Sequence, residues 1–251
     1  MSLEVAPYQL LGVSHVLQPW GERVDDLEQL RERLVAAPPN VLFVHALQCR
    51  LRHAAAAELP MDDVSHWVAS AVQDLETAER LWFALATAEP GPEPARRAWL
   101  DVLEHLSAPR RSERRGPTGG AFTFLTSLSV PYPYGDPIDD PREVVQALLR
   151  SDVSVWFLHL LEEPWNRGAR PTLTTWLDAR GERRLARWLD ECAHSGLPLE
   201  RACARFQRRW RLSQVGRRLA EGGSSRDPVA SETREAAALL AKRLTGDEQA
   251  S

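Results

Sequence analysis

The chain has 251 residues and a formal net charge of −4, which excludes a polycation built to coat nucleic acid. A hydrophobic fraction of 43% and nine tryptophans exclude global disorder and suffice for one large or two smaller cores. Cys49, Cys192 and Cys203 form no Cys-x-x-Cys pair, which argues against a disulfide framework or a structural zinc finger. No segment approaches the roughly 18–20 apolar residues of a membrane span, and the N-terminus lacks the basic-then-apolar pattern of a leader. The basic residues are arginines apart from Lys242, a skew that fits a GC-rich genome. The expectation is a cytoplasmic protein with no membrane contact and no cofactor.

In chain order, Tyr8 to Val16 alternate without helical spacing and read as a strand, closed by a turn at Pro19-Trp20-Gly21. Asp25 and Asp26 open a first helix with Val24, Leu27, Leu30 and Leu34 on one face; the acidic pair suits a cap better than catalysis. After Pro38-Pro39-Asn40 a second helix carries Val41-Leu42-Phe43-Val44-His45 and is predicted to run to about Ala57. Asp62-Asp63-Val64-Ser65-His66-Trp67-Val68 comes next, followed by predicted helices at about 73–87 and 93–107. Residues 110–120, charged and then rich in Gly and Pro, read as a flexible linker.

The same order then returns. Phe122 to Val130 read as a strand rich in Phe, Thr and Val, Pro133-Tyr134-Gly135 as its turn, and Asp139-Asp140-Pro141 as a helix start. Val155-Trp156-Phe157-Leu158-His159 lies on a helix predicted to start near Asp152 and to stop at Pro164. From Tyr8 to His45 every position finds its counterpart 114 residues later without a gap; at Trp67 and Trp176 the offset has fallen to 109. This is the pattern of a tandem duplication. Further helices are predicted at about 179–194 and 198–220. A break at 222–228 precedes a short helix from Glu232 to Leu244.

The predicted fold is therefore mainly α: two tandem pseudo-symmetric helical repeats, each opening with one β-strand that pairs with its counterpart. The boundaries are repeat one at 1–109, a linker at 110–120, repeat two at 121–221, and a second linker with a C-terminal helix at 222–251. Phe43, Phe157, Trp67 and Trp176 are the repeat's structural anchors.

Phe43-Val44-His45 and Asp62-Asp63-Val64-Ser65-His66-Trp67-Val68 resemble a family of small prokaryotic helical domains of unknown function. In that family an aromatic pair precedes His-Thr-His, and Asn-Asp-Phe-x-x-Trp-Val follows. Phe157-Leu158-His159 and Trp176-Leu177 match the pattern less closely, and Leu47 and Leu161 stand where the family has its second histidine. The resemblance implies the fold and no particular activity.

Candidate chemistry centres on His45, Cys49 and His53, which fall at i, i+4 and i+8 of the second helix. Adjacent pairs at that spacing suit a transition metal. The counterparts are His159, Glu163 and Arg167. The competing reading is a packed histidine whose ring nitrogens meet partners inside the core, and no metal is assigned. No Gly-x-Ser-x-Gly, phosphate loop, dinucleotide fingerprint or His-Glu-x-x-His occurs. Arg201, Arg205, Arg208 and Arg209 share a face of the helix at 199–219, opposite Ala202, Phe206 and Trp210, and form a candidate basic surface for phosphates. The expected function is a non-catalytic scaffold or adaptor that binds a protein partner. The alternatives are a metal or enzymatic site near His45 and His159, and nucleic-acid binding through the arginine helix.

Overall fold

The computed structural model describes residues 5–51, 61–166 and 171–221. The chain divides into two compact units, Met1–Glu200 and Arg201–Ser251. The first holds β1 (Leu11–Pro19), α1 (Leu27–Ala36), α2 (Pro39–Leu47), α3 (Asp63–Ser70), α4 (Leu75–Thr87), α5 (Pro92–Glu104) and α6 (Ala108–Glu113). It continues with β2 (Leu125–Pro133), α7 (Pro141–Arg150), α8 (Val153–Phe157), α9 (Glu163–Asn166), α10 (Leu173–Ala179) and α11 (Arg183–His194). Nearly all of α12 (Leu199–Glu221) belongs to the second unit, where Ala202, Phe206 and Trp210 form its buried face. His53, Arg167 and the tail helix expected at 232–244 lie outside the described residues.

The acidic helix starts are caps. The Asp26 and Asp140 side chains, 114 positions apart, accept from the amides of Gln29 and of Arg142 and Glu143, satisfying N–H groups that a helix start leaves unpaired. Asp62, Asp74, Asp152 and Thr172 do the same for α3, α4, α8 and α10.

β1 and β2 pair antiparallel, from Leu11 opposite Pro133 to Pro19 opposite Leu125. His15 faces Ser129 at the centre, and these positions are themselves 114 apart, so a pseudo-twofold axis passes between them. The two strands show the same burial pattern, residue by residue. Trp20 N–H donates to Phe124 O at 2.8 Å and Tyr134 N–H to Leu10 O at 2.9 Å, which puts the ladder's bonds at even-numbered residues. Odd-numbered residues turn their amides outward. Pro19, Pro131 and Pro133 all fall at outward positions, where the missing N–H costs the ladder nothing.

Each strand packs on the helices of the other half. β2 lies on α2 and β1 on α8. The Trp67 indole donates to Gly120 O and the Trp176 indole to Ala6 O, both at 2.7 Å, and these two carbonyls are again 114 apart. Phe43 and Phe157 meet edge to face, with ring centroids 5.6 Å apart. The halves are interleaved in one compact unit rather than set side by side.

The strands run on to Pro19 and Pro133, past the predicted ends at Val16 and Val130, and three further stretches differ from the sequence expectations. The second helix does not run to Ala57; α2 ends at Leu47 and tightens into a 3-10 turn, Gln48–Leu51. In the other half Pro164 does not stop the chain. A π turn, Leu158–Glu162, widens the helix, and Pro164 sits in the first turn of α9, where no amide is needed. The expected linker begins in helix α6, and its arginines are held: Arg111 by Glu28 and the carbonyls of Leu103 and Leu106, Arg115 by Asp26, and Arg114 by Asp74.

Arginine also closes helix ends. Arg96 on α5 donates to the carbonyls of Leu34, Val35 and Ala37 at 2.9, 2.5 and 2.8 Å, covering the free C-terminal carbonyls of α1. Replacing Arg96 with Met keeps the aliphatic stem and removes these bonds. Unfolding in urea should then show a loss of about 2–4 kcal/mol. A loss below about 1 kcal/mol would mean that water replaces the guanidinium without cost.

Candidate functional site

His45 and His159 occupy matching places, each on the helix beneath the opposite half's strand. The Leu125 amide donates to His45 Nε2 at 2.8 Å, and the Leu11 amide to His159 Nε2 at 2.9 Å. Leu125 and Leu11 open the two strands with outward amides. An amide only donates, so each Nε2 keeps its lone pair and the proton resides on Nδ1. His45 Nδ1 then donates to Asp63 Oδ2 at 3.0 Å, and His159 Nδ1 to Glu163 Oε2 at 2.7 Å. The Tyr8 hydroxyl joins the second group, 3.0 Å from His159 Nδ1 and donating to Glu163 Oε2 at 3.3 Å. Both rings are buried, 2% and 1% exposed, and both nitrogens of each are engaged.

The other residues singled out by sequence fall as follows. Cys49 is buried in the 3-10 turn, its thiol directed at Ala46 O at 3.6 Å. Glu163 joins His159. Phe43, Phe157, Trp67 and Trp176 are all buried. Of the basic face on α12, Arg201, Arg205 and Arg208 are exposed and Arg209 is half-buried. Among the described residues, no three or more His, Cys, Asp and Glu side chains gather to hold a metal ion. No described helix is long and apolar enough to cross a membrane.

Two groups escaped the sequence reading. His15, on the pseudo-axis, meets Glu162 Oε2 through Nε2 at 2.9 Å, and its ring stands edge-on to Phe157 at 5.3 Å. The residues 114 positions away are Ser129 and Gln48, so a pair of matched differences at that offset was the available signal. Arg50 is buried and donates to the carbonyls of Cys192, Ala193 and Leu197 at the C-terminal end of α11; no sequence pattern marks it.

Arg50 and His159 also line a mainly apolar cleft of about 210 Å³ between the halves, walled by Trp82, Leu85, Leu161 and Trp165. Asp62 lies at its edge. Burial pushes the Asp62 carboxyl up to about 6, against the bonds it accepts from the Ser65 amide and hydroxyl.

The outer face of the ribbon has a different character. The eighteen residues of β1 and β2 include no Asp, Glu, Lys or Arg. Val16, Leu128, Val130 and Tyr132 are 57, 63, 48 and 38% exposed on that face. Tyr132 lies across Gly12, where an added Cβ would come within 2.4 Å of the ring, and its hydroxyl meets Ser154 Oγ at 3.0 Å.

Two predictions follow from this geometry. His45→Ala or His159→Ala leaves a strand amide without its acceptor and opens a void, at a cost of about 2–4 kcal/mol. Hydrogen exchange should accelerate at Leu125 in the first variant and at Leu11 in the second; unchanged protection at those amides would refute the latch. The second concerns Asp62. Its folded value lies above its unfolded value, so the folded state holds the extra proton, and the contribution is lost as pH rises from about 4 through 6. Stability of the wild type relative to Asp62→Asn should therefore fall by about 3 kcal/mol over that range. Parallel stability curves would rule this out.

The fold is similar to that in the structure of OrfY from Thermoproteus tenax, with a TM-score of 0.62 and 21% identity over 78% of this chain and 95% of that one. At that identity the likeness is one of fold. No curated protein matches the chain. A family model does, over residues 5–200, which take in both strands, both histidines and every helix through α11. The chain belongs to the family of unknown function DUF5752.

Proposed function

We propose that this protein is a non-catalytic adaptor that works by binding another protein, and that the ribbon's outer face is where it binds. The exposed, uncharged face carries this reading. Solvent-facing ribbons are ordinarily protected by charge, above all lysine, whereas this one turns Val16, Leu128 and Val130 to water without a charged residue in either strand. Contiguous apolar surface of that kind is the mark of an interaction site. The tandem duplication belongs to the same proposal: two copies of one strand build a face that neither forms alone. Three cysteines without Cys-x-x-Cys spacing support a cytoplasmic setting.

The engaged ring nitrogens of His45 and His159 favour a structural role for both, over the alternative of a metal or enzymatic site beside them. Exposure of Arg201, Arg205 and Arg208 favours one second reading, phosphate contacts along α12.

The test is affinity purification of tagged protein from nuclease-treated native lysate, with quantitative mass spectrometry. The adaptor reading expects a protein retained in stoichiometric amount, lost on Val16→Asp/Leu128→Asp, and kept on Val35→Asp, a control on the exposed face of α1. No retained protein, or one indifferent to charge on the ribbon, ends the proposal. Retardation of a nucleic-acid probe that weakens steeply with salt would support the second reading instead.

A further inference from the structure

The cleft between the halves is a second feature, apart from the ribbon. Part of its wall is deeply buried: Leu160 and Leu161 of the π turn and Trp165 of α9 are 2, 5 and 3% exposed. Helix α4 adds the half-buried Trp82 and Leu85. Exposed Ala86, Glu89 and Asp190 mark where the cleft reaches solvent. A π turn is an uncommon departure from α spacing that recurs at functional sites. This one gives His159, Leu160 and Leu161 to the wall, and the 3-10 turn of the other half gives Cys49 and Arg50.

Size and chemistry select the occupant. An apolar cavity of about 150 Å³ takes up benzene, so a cleft of about 210 Å³ accommodates two fused rings. The buried ionisable groups of the wall are already engaged. Arg50 holds the carbonyls of Cys192, Ala193 and Leu197, His159 meets the Leu11 amide and Glu163, and Asp62 accepts from the amide and hydroxyl of Ser65. At the mouth His194 faces Asp190 at 3.4 Å. A charged ligand would lose its hydration with no spare counter-charge to offset the loss. One donor is left over. Among the described residues the buried Trp165 Nε1 has no hydrogen-bond partner, the one such side-chain atom on the residues that line the cleft. A buried N–H is costly until it meets an acceptor, and a carbonyl oxygen on the occupant supplies one.

We propose that the cleft binds a small uncharged apolar molecule, the size of two fused rings, with a carbonyl oxygen that accepts from Trp165 Nε1. Apolar walls with a single directing polar group are the ordinary make-up of a small-molecule site. Binding needs neither the ribbon nor a protein partner.

Isothermal titration calorimetry of the full chain with 2-acetylnaphthalene tests this. One equivalent should bind. Naphthalene, which lacks the oxygen, should bind about threefold or more weakly, and 2-naphthoate and 2-naphthylmethylammonium, which put charge on the same rings, about tenfold or more weakly. Trp165→Phe should abolish the preference for the ketone over the hydrocarbon. Leu161→Trp fills the cleft and Ala86→Trp obstructs its mouth, so both should abolish binding, whereas Val16→Asp/Leu128→Asp should leave it unchanged. Circular dichroism checks the fold of each variant; Ala86 is exposed, so Ala86→Trp should keep its melting temperature and carries the test if Leu161→Trp does not fold. The inference is overturned by the absence of saturable binding, by either ion or naphthalene binding as tightly as the ketone, or by a ketone preference that survives Trp165→Phe. Binding that Ala86→Trp leaves intact overturns it too. Binding lost only when the ribbon is charged would assign the probe to the ribbon and remove the cleft.

Discussion

Each strand of the ribbon starts with an amide that points away from its partner strand, and a buried amide without an acceptor is expensive. The structure meets this demand with a histidine ring from the other half, His159 for Leu11 and His45 for Leu125. Much of the architecture follows from those two bonds. A strand held by the opposite half's helix cannot leave with its own half, so neither half is complete alone. The indoles of Trp67 and Trp176 repeat the exchange a few residues upstream, and together the four bonds clamp both ends of the ribbon. The carboxylates of Asp63 and Glu163 serve the clamp by fixing the proton on Nδ1, which leaves Nε2 free to accept.

Arginine takes the complementary task at helix ends. The skew toward arginine fits base composition, but Arg50, Arg96 and Arg111 each bind two or more carbonyls at a helix C-terminus. A lysine ammonium is a point charge on a flexible stem and does not span several carbonyls with fixed geometry.

Sequence reading reached the strands, the caps and the pairing of the ribbon because each shows in local chemistry or in the 114-residue offset. Asp26 and Asp140 marked the helix starts, whereas Pro19 and Pro133, which read as turn residues, close the strands themselves. The offset shared by His45 and His159 located the latches without revealing what they hold: the acceptor role becomes visible only once the strand of the other half lies above the ring. Helix ends were harder. Pro164 is a sound stop signal for an α-helix, and it failed because the preceding turn widened to π spacing, which no residue in Leu158–Glu162 announces. Arg50 was invisible for a related reason, since its carbonyl partners lie some 140 positions away.

The π turn also explains where the two halves part. In one half Gln48 opens a tightened 3-10 turn and is half-buried. In the other, the wider turn carries Glu162 inward to 4% exposure. A carboxylate at that depth needs a partner, and it finds one in His15, the residue of β1 that lies on the axis opposite Ser129. Gln48 and Ser129 in the same places would require neither. His15 in place of Ser and Glu162 in place of Gln thus give the ribbon's midpoint a hydrogen bond to the second half, while the His15 ring also meets Phe43 of the first. The ribbon's symmetric face rests on an unsymmetric support, and a partner that lies across Val16 and Leu128 meets two strands with matching surfaces but different anchorage beneath them.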